Sequence, residues 1–393
     1  MEKFEKSLFV CICIAVCVQR LSMAIGSIFW GISIALSLYL FYVQYKNNNI
    51  AKLILDFKGY YKAFAIFAIC TLPSLYFSSN LSDGLKEYIE MCIYRITPFF
   101  MVTLFLRNDS LLKKIFLIFI IDIGIDSFVA IMQVVLGYGS RGWGFGGNIL
   151  NLASILCIVI PIILIIILDE HFSDKTKQIC KIILLLCIGG LLAGKSRGAW
   201  LTVALILPLV SIKYVIKSKK AIIITLISFI ILGAFFVNSN SFKNRLISTT
   251  NITTDSSNVE RILAWKSCFN MIQDYPVLGV GLGEFKHFYD SGYRESESRN
   301  SLLHAHNNIL QIWAESGIVG LVGFLYLACY IFIKNMVEWL KDKNPYSLMI
   351  WGSWLAFMIY GMFDLTMHHS AITKAMWFLF GCILVFKNRK FYL

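Results

Sequence analysis

Charge is what this 393-residue chain has little of. Asp, Glu, Lys and Arg make up 15% of it, against roughly 25% in a soluble domain, while 58% is hydrophobic and apolar runs of about 20 residues recur from end to end. A soluble globular fold is excluded, and the composition reads as an all-α polytopic membrane protein. A cleavable signal peptide is missing too. Leu8 to Val18 lacks a small-residue cleavage site and runs into a second apolar stretch, so the first span is expected to stay. Cysteine is scarce outside the apolar runs: ten of the eleven lie in or beside them, leaving Cys268 alone in the long polar segment. Neither a disulfide nor a thiolate metal site is implied.

What is there is a series of apolar runs, near 7–19, 22–43, 62–77, 88–106, 111–136, 148–168, 179–194, 198–216, 221–237, 309–333, 346–364 and 370–386, which predicts about twelve transmembrane helices. With the N-terminus inside, the inner segments collect 22 Lys and Arg and the short outer loops only six. That asymmetry predicts cytoplasmic termini in a bacterial inner membrane, with the segment 238–308 outside, in the periplasm. The net charge of +13 is thereby a topology signal, and no nucleic-acid partner is expected. Three parts follow: spans one to nine over 1–237, the large periplasmic segment 238–308, and spans ten to twelve over 309–393.

The outer segment opens with a polar run to Ser257 and then turns helical, with Ser257 or Asn258 as N-cap. Val259, Ile262, Trp265, Phe269 and Ile272 recur at three- and four-residue steps and predict its apolar face. Next, Tyr275 to Phe285 is a glycine-punctuated stretch that reads as a tight turn or as a backbone nest for phosphate oxygens. The segment closes on Ser301-Leu302-Leu303-His304-Ala305-His306-Asn307-Asn308, where two imidazoles and two amides meet the start of a new apolar helix.

His304 and His306 invite a metal reading. Side chains two apart on a helix point about 200° from each other, and no Cys or carboxylate stands at ligand spacing, although Glu284 and His287 lie upstream; no metal is expected. A neutral histidine just outside the bilayer is suited to take a proton from a hydroxyl. The plainer reading is a hydrogen-bonded helix cap, with Asn307 and Asn308 in the same role. Arg197 with Lys195, Arg261 on the outer helix and Arg141 in a glycine-rich loop place cations at one membrane face. Each reads as a snorkelling anchor or as part of an anion site. Within the spans, Asp122 and Asp126 stand four apart, with Arg95 in the preceding span. A proton-relaying transporter is one reading, and an Arg95–Asp126 pair holding two helices together is the preferred one. A transporter would also show weak repeats between its halves, and none is visible. Asp364 lies nearer the outer face, followed by His368 and His369.

His306-Asn307, nine residues, then Gly317-Ile318-Val319-Gly320 resembles the motif of the O-antigen ligase superfamily, a histidine followed by a small polar residue ahead of a glycine-rich helix start. Arg197-Gly198-Ala199-Trp200-Leu201 is similar to that family's second signature, and Arg261 with Trp265 to its arginine-bearing outer helix. The resemblance implies a twelve-span, metal-independent glycosyltransferase without a cofactor, which moves a glycan from an undecaprenyl diphosphate carrier to a hydroxyl of lipid A–core in lipopolysaccharide biosynthesis. It makes His306 the general base, assigns Arg197 and Arg261, with Lys195 and Arg141, to the diphosphate, and gives Asp364, His304 and Asn307 supporting places. An O-antigen polymerase or a protein O-oligosaccharyltransferase shares this architecture and stays open as an alternative.

Overall fold

The computed structural model describes residues 2–47, 50–216 and 255–393. Along the chain run α1 (Glu2–Val18), α2 (Met23–Lys46), α3 (Ile50–Thr71), α4 (Leu81–Cys92), α5 (Thr97–Phe105), α6 (Asp109–Val135), α7 (Ile149–Leu168), α8 (Asp174–Gly194), α9 (Arg197–Val215), α10 (Ser256–Asp274), α11 (Asn308–Asp342), α12 (Pro345–Tyr360) and α13 (Ser370–Asn388). Among the described residues the secondary structure is helical, and nine helical stretches are long and apolar enough to cross a membrane. Eleven of the twelve apolar runs fall on these elements; the run 221–237 lies outside the described residues, as do Lys217, Lys219, Lys220 and most of the polar run that follows. Two of the eleven, in α1 and α12, are helices of 17 and 16 residues.

Short polar side chains set many of the helix starts. Asn108, Asn148 and Asn344 each accept a hydrogen bond from a backbone amide of the first turn, satisfying donors that the helix leaves open. α7, α12 and α13 are the most enclosed of the described helices, each buried along most of its length. Because lipid tails are as apolar as Leu, packing and polar bonds rather than water exclusion hold such helices together. The bonds are present: Ser353 donates to the Ile158 carbonyl at 2.8 Å, Trp354 Nε1 to that of Ala328 at 3.1 Å, and Asn335 Nδ2 to the Tyr60 hydroxyl at 2.9 Å.

The preferred partner of Arg95 is wrong. The apolar run 88–106 is not one helix: α4 ends at Cys92, Ile93 leaves helical geometry (φ −122°, ψ −65°), and α5 restarts just before Pro98. This break sits Arg95 in a single 3₁₀ turn beside α4, where it pairs with Glu87 at 3.2 Å and Glu90 at 3.0 Å. Asp126 pairs instead with Arg20, from the turn between α1 and α2, at 3.1 Å, and Asp122 binds the same guanidinium. The acidic row that favoured a proton relay is thus held by a cation from another element.

α10 also departs from expectation. Its N-cap is Asp255, which accepts from the Asn258 amide, and its buried face is Leu263, Ala264, Ser267, Cys268, Met271 and Ile272; of the expected apolar face Ile272 is buried and Trp265 packs on the same core, while Phe269 is exposed. The apolar periodicity at Val259, Ile262 and Phe269 marked a neighbouring stripe. The helix packs on α11 rather than lying apart from the bundle.

Candidate active site

The site is built around the first turns of α11. Asn307 is its N-cap, accepting from the amides of Ile309 and Leu310 at 3.0 and 3.1 Å. Asn308 ties the helix start to the loop after α12: its amide donates to the Gly361 carbonyl at 2.7 Å, its Nδ2 to Thr366 Oγ1 at 2.7 Å, and its Oδ1 accepts from the Met367 amide at 3.2 Å. Ala305 is gripped from both sides. Its N–H donates to Gln311 Oε1 at 2.8 Å and its carbonyl accepts from Trp265 Nε1 at 3.0 Å.

Between these clamps His306 has φ +52°, a left-handed conformation uncommon outside glycine. The two histidines therefore precede the helix rather than lie on it, and the expectation that they point apart fails. Their ring centroids are 4.3 Å apart and nearly perpendicular, and His369 stands 6.4 Å from His304. His306 Nδ1 lies 3.5 Å from Asp364 Oδ1, and His369 Nε2 lies 3.7 Å from Oδ2. These are charge contacts, longer than hydrogen bonds. Burial opposes ionisation of Asp364, 1% exposed, but His306 and His369 outweigh it and hold the carboxyl well below the usual carboxylate range. His304 goes the other way: burial, with His306 beside it, pushes it down to about 4, leaving it neutral near pH 7.

A cavity of about 670 Å³ opens from this cluster, and His306, Arg197, Arg261, Lys195 and Arg141 all line it. The four cations are not equivalent. Arg141 donates Nε to the Gly194 carbonyl at 2.9 Å, at the C-terminal end of α8 where the helix dipole is negative. Lys195 is the C-cap of that helix, at φ +49°. Arg197 makes a forked contact with Asp255 at 3.1 and 3.2 Å and reaches Asn258 at 3.3 Å. Arg261 donates Nη1 to Ser257 at 3.1 Å, while its buried Nε has no hydrogen-bond partner among the described residues. Glu260 turns from both arginines to accept from Ser298 and the Arg299 amide.

The glycine stretch 276–284 is a turn, and the amides of Gly279, Val280, Gly281 and Glu284 are occupied. α11 breaks at Gly317 (φ +60°, ψ −166°), which frees the carbonyls of Ala314 and Glu315 to accept from Val280 and Gly281 at 2.9 and 3.0 Å. Ile318 donates in return to the Pro276 carbonyl at 2.9 Å. A Cβ on Gly279 would come within 2.4 Å of the Glu315 backbone, and one on Gly317 within 2.2 Å of the Val277 oxygen; only glycine permits this approach. Sequence reasoning did not find Gln311, Asn308 and Trp265 as the supports of His306: Asn308 and Trp265 bond to distant parts of the chain, and Gln311 reaches the nearby Ala305 amide only because the chain turns back at His306. The dipeptide His368-His369 after Asp364 was the one visible signal for the third imidazole.

The sequence model of the family described as O-antigen ligase matches residues 182–325, a stretch that contains Arg197, Arg261, His306 and the Gly317 break. A protein named "Putative polysaccharide ligase" from Rickettsia conorii is 33% identical over 149 residues, 36% of this chain and 35% of that protein. Counterparts of the same name are 31% identical over 148 residues in Rickettsia felis and 32% over 121 in Rickettsia typhi, covering 36% and 30% of this chain and 35% and 29% of theirs. The match thus spans about a third of the length of these relatives. The matched stretch holds Arg197, Arg261 and His306 of the cavity, and in that stretch this polytopic all-helical chain is similar to the O-antigen ligases.

Proposed function

We propose that this chain is an O-antigen ligase that transfers a glycan from an undecaprenyl diphosphate carrier to a hydroxyl of lipid A–core at the periplasmic face of a bacterial inner membrane. The observation that carries the reading is the shared cavity: a histidine backed by a buried carboxylate and two arginines from separate elements line one hollow. His306 Nδ1 faces Asp364, so the tautomer with hydrogen on Nδ1 is favoured and Nε2 is left as the base. The acceptor O–H gives its proton to Nε2 as its oxygen bonds to the anomeric carbon, and the bond from that carbon to the diphosphate oxygen breaks. Asp364 stabilises the imidazolium that forms. Negative charge grows on the leaving diphosphate, which guanidiniums bind in forked pairs.

Arg261, with a spare buried donor, suits direct contact with the diphosphate. Arg197 meets it by exchanging or sharing its Asp255 fork, while Arg141 and Lys195 shape the wall between the outer turns. His306→Ala should lower transfer by about 10²–10⁴-fold, the usual contribution of a positioned base, with the protein at normal level in the membrane. Wild-type activity in that variant sinks the base assignment. Deleting the gene separates the members of the superfamily: uncapped core with accumulating lipid-linked polymer indicates the ligase, capping by single repeats indicates a polymerase, and unchanged lipopolysaccharide refutes both.

A further inference from the structure

Beside the cavity of His306 lies a second one, of about 270 Å³, beneath the turns that precede α2, α7 and α13. The two are neighbours, since Trp143 and Asn148 line both. Asp364 connects them chemically. His306, on one carboxylate oxygen, lines the first, and His369, on the other, lines the second.

The second cavity is polar for the interior of a membrane bundle. Arg95, Asn151 and His368 line it, and Arg95 Nε, Asn151 Oδ1 and His368 Nε2 are buried without hydrogen-bond partners among the described residues. Arg95 is only 3% exposed. A buried polar atom left unsatisfied costs roughly 1–3 kcal/mol, so three around one hollow indicate a polar occupant. The cations of the lining, Arg20 and Arg95, are already neutralised by Asp122 and Asp126 and by Glu87 and Glu90, so the site favours a neutral ligand over an anion. Size narrows it further. Ligand pockets run roughly 300–1,000 Å³, and this one, just below that range at about 270 Å³, suits a single ring rather than a polymer. A guanidinium, a carboxamide and imidazoles offer both donors and acceptors, and the Trp143 ring offers an apolar face, a combination that fits a sugar.

We propose that the second cavity receives the terminal sugar of the acceptor. The inference rests on the glycan-transfer reading above and adds where the second substrate sits. In a single displacement at the anomeric carbon the entering oxygen comes from the face opposite the leaving group. With the diphosphate on Arg197 and Arg261 in the first cavity, the acceptor hydroxyl enters from across the Trp143–Asn148 wall, where His306 takes its proton at the boundary. The oxygen then bonds to the anomeric carbon, and the electrons of the broken carbon–oxygen bond leave on the diphosphate.

Two variants test this in the full chain reconstituted in lipid nanodiscs, with an undecaprenyl-diphosphate-linked glycan as donor and polymer-free lipid A–core as acceptor. Gly146 is exposed at the cavity rim, and a Cβ there meets only the Arg20 carbonyl oxygen at 3.8 Å, so Gly146→Phe narrows the entrance without driving into the backbone. Asn151→Leu removes an interior polar group at similar volume. Each should raise the KM for lipid A–core by roughly tenfold, about one hydrogen bond's worth, with the KM for the donor unchanged, whereas Arg197→Ala should raise the donor KM. Unchanged acceptor KM in both variants, or a donor KM that rises as much, overturns the assignment while leaving the ligase reading in place. A wild-type protein that transfers nothing to lipid A–core removes both.

Discussion

The two halves of α11 follow different rules although they are one helix. From Asn308 to Gly317 its buried residues include Asn308, Gln311, Glu315 and Ser316, and the segment ends in a break. Beyond the break the chain is regular, and its outward residues, Ile318, Val322, Ile333 and Val337, are large and apolar. A lipid-facing helix must satisfy its backbone internally. The first half escapes that constraint because the glycine turn and α10 cover it, and it can therefore spend backbone and side-chain groups on holding the His306 loop. The polar half carries the candidate site and the apolar half is its anchor.

Substituting glycine at the junction should break this comparison most severely. Gly317→Ala puts a side chain into a conformation close to glycine-only, at a strain of roughly 1–3 kcal/mol, and drives Cβ to 2.2 Å from the Val277 oxygen, so the turn must move as well. The expected loss is on the order of 3–5 kcal/mol, read as a lower unfolding temperature in detergent together with lost transfer. Ile333→Ala, at 56% exposed in the apolar half, should stay within roughly 0.5 kcal/mol because lipid replaces the lost contacts. Equal effects from the two would refute the division.

An intermediate effect is expected at the latch. Asn308→Ala removes two side-chain hydrogen bonds to the loop that carries Asp364 and leaves Thr366 and the Met367 amide short of partners. About 1–3 kcal/mol of stability should go, and kcat should fall further than the donor KM rises, because Asp364 drifts from His306. A pure KM effect would count against the latch.

The division of α11 was not legible in the sequence, where 309–333 reads as one apolar run, but the parts of the candidate site were, and the reason is local spacing. His306, the Gly317 stretch, Arg197 and Arg261 are recognisable within windows of a few residues, and the apolar runs located the helices. Partnerships between elements were not legible. Arg95 looked like a mid-span cation because the break at Ile93 has no proline or glycine at the position itself, only Pro98 five residues later. Asp126 looked available to Arg95 because nothing in the α1–α2 turn announced that Arg20 would reach it. The histidine pair was misread for the same reason. A φ of +52° at His306 is imposed by the clamps on Ala305 and by Asn308, which only the folded chain assembles.

The smallest effect expected within the candidate site concerns His304, which separates a neighbouring imidazole from the proposed base. Its folded value of about 4 lies below the roughly 6.5 of an exposed histidine, so between those pH values the unfolded chain binds more protons and stability falls as the medium is acidified. Asp364, depressed in the fold, adds a loss that begins only below about pH 3.9, the unfolded carboxyl value. The two windows are therefore distinct. His304→Gln should flatten the decline between pH 6.5 and 4 by about 1–2 kcal/mol, a figure reduced for partial exposure, and leave the decline below pH 3.9 in place. His368, also pushed down by burial and by Arg95, keeps the remainder of the upper slope. Chemical unfolding of the detergent-solubilised chain across that range measures it, and an unaltered upper slope in the variant would show that His304 is already protonated in the fold and shares the charge of Asp364 with His306.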